Sequence, residues 1–335
     1  MDLKRFCAYA AYVLIAGAVV ACKDDDEDTV SYEDLAGTLS FNVPEYVLPG
    51  QTLSLTPSGM SGNTVDIGYY WTVSPIYPDR DTTRALGDPD TVDGTYKLLV
   101  KDTLCTMSII CNAFATGYYT ESATRSCTIV NPATTLTDTG IAEDTPSIVD
   151  ARDNKTYHYT TVGGLDWFME NLSYGNAASF KECPAMDDIY GKYYTWNEAM
   201  TSCPPGWRLP DASDWHSLVT AAGYTGEQTS TYPGVAGALM VNARFNGDRM
   251  WEYFPKVKIT NKTGFSALPT AYGTKGSSRN DWNGNLKYAV YWTSDSYDDV
   301  QGIYRLLYVE SPDLMGGNGH KDSFLAAVRC VRNSE

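Results

Sequence analysis

Eight cysteines, three histidines and a large surplus of carboxylates are the residues of this chain that could carry chemistry. His158, His216 and His320 sit in unrelated segments, and none has a His-Glu-x-x-His or comparable metal-ligand spacing. His216 follows Trp215 in a segment of helical pattern, which reads as a boundary position rather than a general base. No Gly-x-Ser-x-Gly elbow occurs, and no glycine loop of the P-loop type. Carboxylate pairs such as Asp187-Asp188 and Asp298-Asp299 are expected by chance in so acidic a chain and do not by themselves make a glycosidase. Without a nucleophile, a base and an orienting group, the sequence reads as non-enzymatic.

The cysteines take their meaning from the leader. Met1 to Ala21 has a basic start (Lys4, Arg5), an apolar run and then Val19-Val20-Ala21-Cys22. That run is too short and too abruptly ended for a transmembrane helix, and it reads as an export signal. Small residues before a cysteine resemble the lipobox of bacterial lipoproteins, which implies lipidation of Cys22 and a membrane partner through the acyl anchor. Lys23-Asp24-Asp25-Asp26-Glu27-Asp28 opens an acidic tether over residues 22–36. This start also resembles the tag of Bacteroidetes lipoproteins exposed on the outer membrane, implying that location. With Cys7 in the leader and Cys22 lipidated, six cysteines remain, Cys105, Cys111, Cys127, Cys183, Cys203 and Cys330. In an oxidising compartment these are disulfide candidates first. Three fall in each half, so either each half keeps one thiol or one bond crosses between halves.

The formal charge is −16, and the leader (Lys4, Arg5, Asp2) contributes +1, leaving the remainder near −17. No basic stripe interrupts that charge, which disfavours nucleic acid as a partner. An apolar fraction of 43% and an aromatic fraction of 13% suffice for two domain cores in 335 residues.

The two cores have different patterns. Residues 37–131 contain short strand-like segments, Thr38 to Val43, Gln51 to Thr56, Ile67 to Val73, Thr95 to Val100, Met107 to Phe114 and Arg125 to Val130, separated by turn formers. This spacing predicts an all-β sandwich. Tyr69-Tyr70-Trp71 and Ala113-Phe114 resemble the core of immunoglobulin-like and PKD-like modules. The midpoint of Cys111 and Cys127 falls in Gly117-Tyr118-Tyr119-Thr120, and a hairpin turning there would set the two cysteines across adjacent strands, within disulfide reach if they share a face. Residues 132–146, rich in Pro, Thr and Asp, read as a spacer.

From residue 147 to 335 the pattern becomes α+β. Pro210 or Asp211 can start a helix whose apolar face carries Trp215, Leu218 and Val219, and a second helix is predicted over Trp196 to Ser202. The remainder is short strands and long Gly-, Asn- and Ser-containing loops. Several segments stand out in order: Leu165-Asp166-Trp167-Phe168-Met169-Glu170-Asn171-Leu172, Tyr190-Gly191-Lys192-Tyr193-Tyr194-Thr195-Trp196-Asn197-Glu198-Ala199, Cys203-Pro204-Pro205-Gly206-Trp207-Arg208-Leu209-Pro210, Gly264-Phe265-Ser266-Ala267-Leu268-Pro269, Tyr291-Trp292-Thr293-Ser294 and Val328-Arg329-Cys330-Val331. Together they resemble the Fibrobacter succinogenes major paralogous domain. The arrangement is also similar to the C-type lectin-like and formylglycine-generating-enzyme folds.

That resemblance implies a tied-down terminal strand, pairing Cys330 with Cys203 first and with Cys183 second. It implies no formylglycine-generating activity, since only Cys330 stands late in the chain. It implies instead a lectin-like ligand set of Asp281, Trp282 and Asn283 in a loop with Asp295 and Tyr297 beyond it, where a ring stacks on sugar and oxygens bind hydroxyls. The same oxygens could take calcium, although the Glu-Pro-Asn, Gln-Pro-Asp and Trp-Asn-Asp tripeptides of calcium-dependent lectins are absent. Set against this is a solvated loop with Trp282 packed down. The functional expectation is a surface lipoprotein that binds an extracellular glycan or surface protein. The alternative is a structural or assembly component of a surface fibre or polysaccharide-handling complex.

Overall fold

The computed structural model describes residues 31–74, 85–86, 94–101, 106–251 and 257–334; the leader, Cys22 and Cys105 lie outside these. The chain divides into two compact units, residues 1–131 and 132–335.

The first unit is built from β1 (Tyr46–Val47), β2 (Thr52–Leu55), β3 (Gly68–Ser74), β4 (Ala85–Leu86), β5 (Tyr96–Leu99), β6 (Thr106–Phe114) and β7 (Glu121–Ile129). A five-stranded sheet of order β1-β7-β6-β3-β4 and a two-stranded sheet β2-β5 share one core. Alternation produces that core: β6 buries Met107, Ile109, Cys111 and Ala113 on one face. Trp71 meets Phe41 edge to face at 5.0 Å and donates its indole N–H to the Gly94 carbonyl (2.9 Å). Residues 38–43 form no strand and are held by the isolated bridge of Ser40 with Ser58 and by the Thr38 N–H bond to the Gly59 carbonyl (3.1 Å), yet still bury Leu39 and Phe41. The end of the expected tether is likewise bound in, because Glu33 bridges Tyr118 and Leu35 is buried.

Cys111 and Cys127 are not joined. The β6-β7 ladder sets Cys111 opposite Ala123 and Cys127 opposite Met107, so the hairpin turns about Gly117 (φ 83°) rather than residue 119. The two cysteines are therefore offset by four ladder positions, and both remain free and buried. Burial pushes the Cys111 thiol up to about 12 and the Cys127 thiol up to about 11.

The second unit begins with β8 (Leu136–Thr137), β9 (Ser147–Val149), β10 (Thr156–Val162) and β11 (Leu165–Phe168). Four short helices follow, α1 (Asp187–Tyr190), α2 (Trp196–Ala199), α3 (Ala212–Ala221) and α4 (Ala236–Leu239). The strands after them are β12 (Arg244–Phe245), β13 (Asp248–Arg249), β14 (Thr270–Thr274), β15 (Asp281–Asn285), β16 (Tyr288–Ser296), β17 (Gln301–Tyr308), β18 (Leu314–His320), β19 (Phe324–Leu325) and β20 (Val331–Asn333). Residues 132–146, expected to be a spacer, are part of this unit: β8 pairs with β12, and Thr135 is fully buried. Pairing of a two-residue strand leaves too weak an alternation to read in sequence.

The predicted helices form with their caps. Asp211 accepts from the Ser213 and Asp214 N–H groups, and Asp214 accepts in return from Asp211 N–H, closing a capping box at the head of α3. Trp215, Leu218 and Val219 then face the core. Thr195 and Glu198 make the same arrangement at α2, which ends at Ala199 rather than Ser202.

Candidate functional site

The central feature of the second unit is a sheet of order β15-β14-β16-β17-β18, with β19 also on β14. Period-two alternation gives β16 one face of Tyr288, Val290 and Trp292. Register places Tyr308, Leu306 and Tyr304 of β17 opposite them, so the same face continues across the ladder. Tyr272 of β14 and Phe324 of β19 extend it. Val290 and Trp292 are buried, whereas Tyr272, Tyr288, Tyr304, Leu306, Tyr308 and Phe324 are only partly covered.

The rings of this face touch in succession. Tyr304 and Phe324 stack at 5.0 Å, Phe324 and Tyr272 at 5.3 Å, and Tyr288 and Tyr308 at 4.6 Å, while Tyr272 meets Tyr288 edge-on at 5.8 Å. Glycines on β18 allow the rings to lie low. A Cβ at Gly317 would stand 2.5 Å from the Tyr304 ring, and one at Gly319 would stand 2.6 Å from Phe324. A hydrogen bond to the Glu310 carboxylate holds the Tyr308 phenol up at about 12. The result is a partly covered aromatic floor whose rings brace one another around the buried Val290 and Trp292.

The five expected ligand residues do not converge. Residues 281–285, expected as a loop, form strand β15 on β14. Asn283 lies opposite Tyr272 and Asp281 opposite Thr274, so both exposed polar side chains join the aromatic face. Trp282 points the other way, over Gly273, and packs edge-on to Tyr193 at 4.7 Å and Phe180 at 5.3 Å. Asp295 accepts the Ala212 N–H (2.7 Å) at the head of α3. Tyr297 is 65% exposed in the β16-β17 turn, whose backbone is held by Asp298. Among the described residues no group of three His, Cys, Asp or Glu side chains could hold a metal ion. His158 is bound to Glu170 (2.6 Å), while His216 and His320 belong to α3 and β18.

The segments that stand out in the sequence meet at a fully buried arginine. Arg329 donates to Asn171 Oδ1 (2.7 Å) and to the carbonyls of Phe168 (3.0 Å), Phe265 (2.6 Å) and Ser266 (3.1 Å). Its guanidinium also lies over the Phe265 ring at 4.8 Å. Burial lowers its pKa, and the carbonyl oxygens supply what water would have. Next to it, Cys330 is disulfide-bonded to Cys203 across 127 residues of sequence. A family model described as the Fibrobacter succinogenes major domain (Fib_succ_major) matches residues 153–332, more than half of the chain.

The chain belongs to the Fibrobacter succinogenes major domain family. No curated protein matches it. In this Fib_succ_major module, the Trp-Arg-Leu-Pro segment packs on the same terminal strand: Arg208 N–H bonds to the Val331 carbonyl (2.9 Å), and Arg332 lies over Trp207 at 4.6 Å. Cys183, the other partner considered for Cys330, is buried with its thiol donating to the Lys181 carbonyl (3.2 Å). The conspicuous segments of the module thus serve its architecture. The aromatic floor was missed in the sequence, although Tyr288-x-Val290-x-Trp292 and Tyr304-x-Leu306-x-Tyr308 on successive strands carry its signal.

Proposed function

We propose that this chain is a lipid-anchored, cell-surface protein whose Fib_succ_major module binds glycan without catalysis, on a C-type lectin-like scaffold held out by an immunoglobulin-like or PKD-like domain. The observation that carries this reading is the partly covered floor of Tyr272, Tyr288, Tyr304, Tyr308 and Phe324, with the exposed Asp281 and Asn283 on the same face. Aromatic rings offer apolar area to the C–H faces of sugars, and amide and carboxylate oxygens accept from hydroxyls. The rings are already braced against one another and against β18, so little side-chain freedom is lost on binding. Calcium is not required by this arrangement.

The test is a glycan array with soluble protein starting after Cys22, followed by calorimetry on any hit. Saturable binding that is lost in Tyr272→Ala with Tyr288→Ala, and kept in chelator, supports the reading. Absence of binding, together with copurifying surface proteins, would sink it in favour of an assembly component. Trp282→Ala serves as a contrast, since that ring packs away from the face.

A further inference from the structure

Residues 242–262 depart from the acidic character of the chain: Arg244, Arg249, Lys256, Lys258 and Lys262 stand there against Asp248 and Glu252, in a protein of formal charge −16. The arginines are brought together by a turn. Asn246 (φ 49°) and Gly247 (φ 89°) both take positive φ, as the central residues of a type I′ hairpin must, and so fix the register of β12 on β13. Arg244 is then directly opposite Arg249, and side chains so paired leave one face of the ladder with Cβ atoms about 5 Å apart. Asp248, opposite Phe245, alternates to the other face.

Like charges in that position repel, and one carboxylate faces the two guanidinium groups. Asp138 Oδ2 lies 3.3 Å from Arg244 Nε, and Arg244 Nη1 donates to the Gly247 carbonyl (2.9 Å). Arg249 is exposed and has no hydrogen bond or ion pair among the described residues.

Both arginines line a cleft of about 520 Å³, within the range of small-ligand sites. Asp138 is the one carboxylate among its lining residues, so the cleft carries net positive charge. Its other polar groups suit hydroxyls rather than a second charge. Asn242 is exposed with no partner for its amide among the described residues, and the Thr260 hydroxyl, donating to the Gly237 carbonyl (3.2 Å), keeps lone pairs for an incoming donor. Asn261 is held at both ends of its amide by Ser266 (2.9 Å each). Gly140 (φ 79°) lets the chain close on that amide, since a Cβ there would stand 2.6 Å from Asn261 Nδ2. The planar fork of a guanidinium matches the oxygens of a carboxylate or sulfate, and two forks on one face can hold one anion between them.

We infer that this cleft binds an acidic saccharide, its carboxylate or sulfate ester between Arg244 and Arg249 and its hydroxyls on Asn242 and Thr260. The site goes beyond the aromatic floor and shares no residue with it, so either can fail alone.

Calorimetry on the soluble chain would compare methyl glucuronide, methyl glucoside 6-sulfate, neutral methyl glucoside and inorganic sulfate. At least one acidic sugar should bind saturably and at least about tenfold more tightly than the neutral one, with affinity falling as salt rises. Preference for the glucuronide identifies the anion as a carboxylate, and preference for the ester identifies it as a sulfate. Arg249→Gln, at an exposed residue that bonds to nothing else, should remove the preference for charge. Asp138→Asn should tighten the acidic sugar by about two- to fivefold by removing the competing carboxylate, which an arginine pair of purely structural role would not do. Tyr272→Ala with Tyr288→Ala should leave this binding unchanged, which separates its failure from that of the floor. Equal affinity for acidic and neutral sugars, a preference that survives Arg249→Gln, or binding of inorganic sulfate alone would overturn the inference.

Discussion

The two units solve the same problem in different ways. In the first, long strands alternate cleanly, and Asn112 is its single buried polar side chain among the described residues. In the second, strands as long as β16 and β17 are joined to short helices and long loops, and Arg329, Arg305, Asp150, Asp166 and Asp214 are all buried. A continuous ladder satisfies its own backbone, so its core needs only apolar faces. Loops leave carbonyls and N–H groups inside the fold; Arg329 and Arg305 donate to the former, and Asp150 and Asp214 accept from the latter. Bracing by charge and disulfide is therefore the consequence of irregular backbone.

The most severe test of this contrast is removal of Arg329. Arg329→Met leaves the carbonyls of Phe168, Phe265 and Ser266 without their donor, and a cost of about 3–5 kcal/mol is expected. Denaturant unfolding of the full chain, followed by probes in each unit, should show the second unit's transition move and the first unit's stay. Equal movement of both would break the comparison.

Next in size is the disulfide. It closes a loop of 127 residues of separation, and Cys203→Ala with Cys330→Ala should cost the second unit about 2–4 kcal/mol. Reductant should reproduce the loss in the unmodified protein. The first unit gives the reverse picture, since Cys111 and Cys127 act there as small apolar side chains. Cys111→Ala should cost only about 1 kcal/mol. With thiols pushed up to about 12 and about 11, neither should react with a disulfide reagent at pH 8 until the unit unfolds. Rapid labelling of the native protein would show the core to be looser than described.

What was legible in the sequence follows the same division. Strands β2, β3, β5 and β6 came from alternation, and α3 from its capping residues and apolar face, because those signals are local. The hairpin register was not local in this sense: a shift of the turn from 119 to Gly117 separates Cys111 from Cys127 by four ladder positions. Trp282, Asp295 and Tyr297 carried the residue types of a sugar site, yet pairing of β15 and capping of α3 decided where they point. The aromatic face could be assembled only once β14, β16, β17 and β19 were known to be neighbours.

The smallest effect sharpens the comparison through pH. Burial raises the Asp150 carboxyl, but hydrogen bonds from Arg152 (2.9 and 2.7 Å) outweigh it and hold the group below its ordinary value. Arg152 in turn donates to the Ser202 and Cys203 carbonyls (2.9 and 3.2 Å) and lies 3.6 Å from the Tyr174 ring, so the pair ties β9 to the disulfide loop. A carboxyl with a depressed folded pKa contributes stability above its unfolded pKa, about 3.9, and that contribution is lost as pH falls through the folded value. The melting temperature of the second unit should therefore drop between pH 5 and pH 3 more steeply than that of the first. Asp150→Asn should lower it at neutral pH and flatten only part of the slope, because Asp211 and Glu198 are held low by bonds of the same kind. An unchanged slope would mean that the Asp150–Arg152 pair is not among the charges through which this unit answers its loops.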